Sequence, residues 1–125
     1  MHENQIGDIV IQSALSVHNL LGPGLLESTY QACLDYELKQ AGLDVIREAS
    51  LPVVYKDVHL PCGYRIDLWV NRKVIIEIKA VDALNDIHLA QVLTYLKLTE
   101  NKLGYLLNFN VKLLKQGIRR VVNGL

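Results

Sequence analysis

The sequence predicts a single α/β (α+β) domain in which helices flank a mixed central sheet. Three observations predict this: the chain has only 125 residues, helical periodicity fills its first third, and strand-like alternation then gives way to another helix and strand. Half of the residues are hydrophobic, which argues against a disordered chain. We therefore expect residues 1–125 to fold as one domain around one core.

Charge and composition limit the class of protein and its compartment. The formal net charge is zero, so the chain is not a strongly basic nucleic-acid binder, although residues 51–125 hold eleven of the thirteen bases. No apolar run approaches the roughly 18 residues that span a membrane. The acidic N-terminus lacks the basic region of a signal peptide, and Cys33 and Cys62 have no metal-ligand spacing. We expect a cytoplasmic protein with free thiols and no membrane partner.

Two helices are expected before the sheet. Apolar residues recur at helical spacing over residues 4–21, and Gly22-Pro23-Gly24 ends this helix. A second helix is expected at about 26–41, with Glu27 in its first turn, where the helix dipole alone would explain a carboxylate. The predicted buried side chains are Ile6, Ile9, Val10, Ser13, Ala14, Val17, Leu20 and Leu21 in the first helix and Leu26, Tyr30, Cys33, Leu34 and Leu38 in the second.

Strands are expected next, followed by a third helix and a further strand. Ile66, Leu68 and Val70 alternate with polar or aromatic residues, which predicts that these three share one face. The expected elements are strands at 45–55 (bent at Pro52), 58–70 (broken at 61–63) and 73–80, a helix at 85–99, a strand at 103–109, a helical turn near 111–115 and a strand near 117–122. In the helix, Ile87, Leu89, Val92, Leu93 and Leu96 form the expected core side, and His88, Gln91 and Tyr95 a second stripe.

The strand at 73–80, KVIIEIKA, carries two charges on a largely apolar element. Alternation places Glu77 and Lys79 on the same face as Ile75, so that face is partly covered. Half-buried charges are costly unless they are paired or bind an ion. Two interpretations remain open at this point: a structural Glu77–Lys79 ion pair, or a site for metal and substrate.

The turn before this strand decides whether two acids meet. A three-residue turn at 71–73 pairs Val70 with Val74 and places Asp67 opposite Glu77, with Cβ atoms about 5 Å apart. Such a pair needs a cation or a shared proton. A two-residue turn places the acids on opposite faces, and the sequence leaves both registers open.

Four segments together resemble one nuclease superfamily. Asp67 followed by Glu77-Ile78-Lys79 resembles the D…(D/E)xK signature of the PD-(D/E)xK nucleases. Gln91 and Tyr95 are similar to the QxxxY motif of its RecB-like branch, and residues 24–30, with Glu27 and Tyr30, match the GxxExxY motif of a small family placed in that superfamily. The superfamily's often degenerate Pro before the Asp is absent here, and it has no chemical role.

The resemblance implies a restriction-endonuclease-like αβββαβ core and Mg²⁺- or Mn²⁺-dependent hydrolysis of DNA or RNA. It implies Asp67, Glu77 and Lys79 as catalytic residues. The implied metal ligands are Asp67, Glu77, the Ile78 carbonyl and Glu27, and the implied substrate-positioning residues are Gln91, Tyr95 and Tyr30. On this interpretation Tyr30 faces the cleft and bonds a site carboxylate.

Other function classes stay open from the sequence. The alternative is a non-catalytic nucleic-acid-binding or protein-interaction module that keeps the nuclease fold, or a domain without a catalytic role. Intact Asp67, Glu77 and Lys79 favour the nuclease. The high apolar fraction and the zero net charge predict a homodimer or a protein partner, since a neutral chain attracts phosphates poorly at long range.

Overall fold

The computed structural model describes residues 1–125 and contains three α-helices and one sheet of five strands. The helices are α1 (Glu3–Leu21), α2 (Glu27–Gln40) and α3 (Asp86–Thr99), and a 3₁₀ turn covers Leu114–Gly117. The strands are β1 (Val45–Tyr55), β2 (Val58–Val70), β3 (Val74–Lys79), β4 (Leu103–Asn108) and β5 (Ile118–Val122). The predicted αβββαβ order is confirmed, with α1 before it and β5 after it.

The sheet is mixed, as predicted, and its strands follow the chain in the order β1-β2-β3-β4-β5. Only β3 and β4 run parallel, and α3 connects them because a parallel pair needs a crossover. Val70 pairs with Val74 across the turn at 71–73, which is the three-residue-turn register. That register sets up the site described below.

Two hydrophobic clusters lie on the two faces of the sheet. The larger cluster packs α1 and α2 on the face that carries Val74, Ile76 and Ile78, and the smaller packs α3 around Ile75 and Leu96. The side chains of β3 thus divide between the faces as their alternation predicts. Because β3 is covered on both sides, its residues are buried up to Ile78, and only Lys79 is partly exposed.

Three apolar residues were expected in the core and are exposed instead. Leu20, Leu26 and Ile87 are 85%, 73% and 76% exposed. Leu20 lies in the last turn of α1, Ile87 lies in the first turn of α3, and Leu26 is the extended N-cap residue of α2. All three lie at the end of a helix, where periodicity alone does not show which positions the sheet covers. Tyr95, which was expected on the second stripe of α3, is buried. That stripe therefore contributes in part to the core.

The β1–β2 hairpin is irregular where the sequence predicts a bend and a break. Leu51 pairs with Tyr64 and Val53 with Leu60, so three residues of β2 lie opposite Pro52. Gly63, with a φ of 78°, supplies the left-handed backbone that such a bulge requires. No helix of the protein is long and apolar enough to cross a bilayer.

Candidate active site

Strands β2 and β3 separate at Asp67 and Glu77. The backbone ladder between them ends at Leu68 and Ile76, one residue before the two acids would pair. The Asp67 N–H donates to Glu77 Oε2 at 2.8 Å, and the Ile78 N–H donates to Asp67 Oδ2 at 2.8 Å. Two carboxylates therefore occupy the fork between the strands and accept from backbone donors that the ladder leaves free.

Asp67 reaches this fork because the alternation of β2 changes phase there. Ile66 packs in the α3-side cluster, whereas Leu68 and Val70 pack in the α1/α2-side cluster. The expectation that these three residues share one face is therefore wrong. Opposite Asp67 in β1 stands Glu48, whose φ of 53° is unusual for a residue other than glycine. Both strands are thus locally distorted, and Asp67 points into the sheet plane toward β3.

The carboxyls of Glu77 and Asp67 are poorly solvated. Glu77 is 4% exposed, and this burial, together with the nearby Asp67 carboxylate, raises its pKa to about 8. Burial also raises the pKa of Asp67, while the Ile78 N–H and the charge of Lys79 oppose that rise. Two acids this close do not both ionise readily unless a cation compensates them.

Lys79 ends β3 beside these acids and is half-buried. The protein has two ion pairs, Lys39–Asp35 and Arg65–Glu48, so the Lys79 ammonium has no carboxylate partner. Its backbone is held by the residue that follows β4, since the Phe109 N–H donates to the Lys79 carbonyl at 2.9 Å. Of the two interpretations that the sequence left open, the structural Glu77–Lys79 ion pair is therefore not formed, and the ammonium is free to contact another group.

Glu27 approaches the same fork from α2. Its Oε2 accepts the Ala80 N–H at 3.0 Å, so the first turn of the helix meets the end of β3. A polar cleft of about 250 Å³ opens at this junction and is lined by Glu27, Ser28, Gln31, Glu48, Asp67 and Ile78. The exposed Glu27 carboxylate thus lies beside the cleft, and more than the helix dipole determines its position.

Tyr30 holds the bend that positions Glu27. Its hydroxyl donates to the Gly22 carbonyl at 2.6 Å and accepts the Leu25 N–H at 3.1 Å. The fully buried ring stacks on Phe109 with centroids 4.6 Å apart. The expectation that Tyr30 faces the cleft and bonds a site carboxylate is therefore wrong, because both roles of its hydroxyl are taken by the loop.

Gln91 and Tyr95 interact on α3. Gln91 Nε2 donates to the Tyr95 hydroxyl at 3.0 Å. Tyr95 is buried in the smaller cluster, with its ring 6.4 Å from that of Tyr64. Burial raises its pKa, and the charge of Glu77 raises it further. Tyr95 therefore lies within electrostatic range of the acids but is enclosed by protein, whereas Gln91 remains half-buried.

The structure adds two residues that the sequence did not single out. Buried Gln31 donates from Nε2 to Asp67 Oδ1 through a long hydrogen bond of 3.4 Å, and its Oε1 accepts from Arg47 Nε at 2.8 Å. Gln31 follows Glu27 by four residues, so it lies on the same side of the helix. That spacing was the available signal for Gln31, and no pattern pointed to Arg47.

The donor atoms fit a hard divalent cation only in part. No group of three or more His, Cys, Asp or Glu side chains is arranged to hold a metal ion, so Glu27 does not form a ready three-acid cage with Asp67 and Glu77. Those two carboxylates still lie next to each other, and the hydrogen bond that Glu77 accepts from the Asp67 N–H uses Oε2 and leaves Oε1 for another contact. Mg²⁺ suits such a site, because it binds to one or two carboxylates and keeps several waters.

Comparison with known proteins supports one family. No curated protein and no solved structure matches the chain. A protein-family model for the PD-(D/E)XK nuclease superfamily matches residues 4–121. The match covers every helix from its first turn and all strands but the end of β5, and the αβββαβ order agrees with a restriction-endonuclease-like fold. The chain therefore belongs to the PD-(D/E)XK nuclease superfamily.

Proposed function

We propose that this protein is a metal-dependent nuclease that hydrolyses phosphodiester bonds in DNA or RNA. One observation carries the proposal: Asp67 and Glu77 meet in a buried fork, where their ionised forms are unfavourable without a cation. A purely structural pair gains little from such an arrangement. Perturbed acids in a cleft are typical of functional sites, and membership of the superfamily supports the same chemistry.

The proposed cation is Mg²⁺ or Mn²⁺, held by the carboxylates of Asp67 and Glu77 with help from the Ile78 carbonyl. Glu27 already accepts a backbone N–H, so we assign it a contact through a metal-bound water. When bound, the ion lowers the pKa of a coordinated water and neutralises charge on the scissile phosphate. The protein's part is to fix these oxygens at the fork through the Asp67 and Ile78 amides.

Lys79 is the proposed catalytic lysine. Its ammonium has no acidic partner, and Lys79 directly follows Ile78 in β3. The ammonium can therefore orient the attacking water or stabilise charge on phosphoryl oxygens. We propose that Gln91 contacts substrate and that Tyr95 positions Gln91 through their 3.0 Å hydrogen bond. This pair and the Glu27–Tyr30 loop support placement in the GxxExxY group of the RecB-like branch.

A homodimer and a cytoplasmic location complete the proposal. Leu20 and Tyr36 line an apolar groove between α1 and α2 and are largely exposed. Zero net charge leaves two copies without long-range repulsion. Sedimentation at micromolar concentration tests the dimer, and a fully active monomer would contradict it.

The cysteines support the proposed cytoplasmic location. Both are free thiols, as is usual in a reducing compartment.

Cleavage of a mixed panel tests the nuclease itself. Single- and double-stranded DNA and RNA are incubated with purified protein in Mg²⁺, Mn²⁺ or EDTA. Lys79→Ala should remove most turnover, whereas Lys102→Ala, at the opposite end of the parallel β3–β4 pair, should retain it. Equal cleavage by wild type and Lys79→Ala would identify a contaminating nuclease and defeat the proposal.

A further inference from the structure

Arg47 is a fixed cation without a counterion. It lies on the edge strand β1 and is exposed. Its Nε donates to Gln31 Oε1 at 2.8 Å, while Nη1 and Nη2 have no hydrogen-bond partner in the protein. Neither of the two ion pairs includes it. A guanidinium that is oriented by a buried neutral amide therefore presents two free nitrogens to solvent.

The position of Arg47 connects it to the site. Gln31, which orients the guanidinium, also donates to Asp67 Oδ1, and Arg47 pairs in register with Leu68, the residue after Asp67. Its neighbours Gln31 and Glu48 line the polar cleft. Arg47 thus lies at the rim of the cleft, one amide side chain away from the acids.

The chemistry of this arrangement suits a phosphate. Guanidinium nitrogens bind phosphate oxygens in pairs, and a side chain that is already oriented loses less entropy on binding. The Gln31 amide lies between Arg47 and Asp67 and hydrogen-bonds to both, so a side chain sets the free guanidinium nitrogens apart from the acids. Resting on the proposed nuclease function, we infer that Arg47 binds a phosphate of the substrate strand adjacent to the scissile one.

Binding measurements test this inference without turnover. Anisotropy of a fluorescent single-stranded DNA is measured with Ca²⁺ in place of Mg²⁺, over a series of salt concentrations. Arg47→Ala should weaken binding roughly 10- to 100-fold and should reduce the slope of log K against log salt by about 0.7. Arg47→Lys, which keeps the charge but not the Nε contact, should restore the slope and only part of the affinity.

Arg119→Ala is the matched control. Arg119 lies on β5 at the opposite edge of the sheet, and its guanidinium donates to the Gln116 and Ile118 carbonyls nearby. This variant loses the same charge and should bind like wild type. If both variants weaken binding equally, or if Arg47→Ala binds like wild type, the inference is overturned.

A small substrate separates phosphate binding from an effect on the acids. Bis(p-nitrophenyl) phosphate has one phosphate, so Arg47→Ala should slow its hydrolysis far less than that of an oligonucleotide, whose KM should rise. Equal losses on both substrates would mean that Arg47 acts on Asp67 through Gln31, and would overturn the inference. If wild type cleaves neither substrate, the proposed nuclease function fails, and the anisotropy comparison alone decides whether Arg47 binds phosphate.

Discussion

The buried acids predict that the metal-free protein loses stability as the pH rises. The pKa of Glu77 is raised to about 8 from 4.5 by burial and by Asp67. Between these two values the folded protein holds a proton that the unfolded chain releases. Stability is therefore fully present below about pH 4.5 and falls as the pH rises through 8. Glu77→Gln keeps the shape of the side chain, removes the ionisable group and should abolish most of this fall.

The size of the expected loss of stability follows from the shift in the pKa of Glu77. At about 1.4 kcal/mol per pKa unit, a change from 4.5 to about 8 gives an upper limit of roughly 5 kcal/mol. Relaxation of the fork and entry of water on ionisation reduce this penalty, so we expect roughly 2–5 kcal/mol. For a chain of this length that corresponds to a decrease of about 8–20 °C in Tm.

Calorimetry in EDTA from pH 5 to pH 8.5 measures this effect. Asp8→Asn is the control, because Asp8 is an exposed acid on α1, and its variant should follow the wild-type curve. Mg²⁺ should raise the Tm of wild type at pH 8 and have little effect on Glu77→Gln. A wild-type Tm that stays level with pH, or a Glu77→Gln variant that falls in parallel with wild type, would refute the account of the fork.

Three further substitutions test other parts of the site. Lys79→Ala should lower kcat by at least about 100-fold with an unchanged Tm, since it removes charge stabilisation and no core volume; steady-state kinetics and a melting curve measure both. Glu27→Gln should weaken Mn²⁺ binding several-fold in isothermal titration. An unchanged affinity would mean that Glu27 only accepts the Ala80 N–H and takes no part in metal binding. Tyr30→Phe should cost about 1–2 kcal/mol in urea unfolding, because the Gly22 carbonyl and Leu25 N–H lose their partner. Tyr55→Phe, at an exposed tyrosine of β1, should cost almost nothing.

Local patterns predicted the framework of the site but not its details. The alternation of β3 singled out Glu77 and Lys79, and the three-residue turn at 71–73, one of two registers that the sequence left open, is the one that brings Asp67 and Glu77 together. The change in the alternation of β2 at Asp67 was not predictable, because it accompanies the left-handed backbone of Glu48 on the neighbouring strand. An alternating pattern assumes a regular strand and therefore assigned Ile66 to the wrong face.

Residues that act through long-range contacts were also beyond the sequence. Tyr30 stands in a motif beside Glu27, which suggested a role in the cleft, yet its hydroxyl holds the preceding loop. Gln31 and Arg47 gain their positions only when α2 packs against β1, a contact between residues sixteen positions apart. Side-chain hydrogen bonds of this kind depend on the tertiary fold and leave no periodic signal.

The same feature that ends the β2–β3 ladder also builds the site. A strand pair that parts inside a sheet leaves backbone amides without partners, and each needs an acceptor. Here the acceptors are the carboxylates of Glu77 and Asp67, so their burial is required by the backbone and costs stability at the same time. A neutral acceptor at either position would satisfy the amide but could not bind a cation strongly. Under the proposed nuclease function, a bound cation would offset this unfavourable ionisation, so the same distortion of the sheet would serve both the backbone and the site.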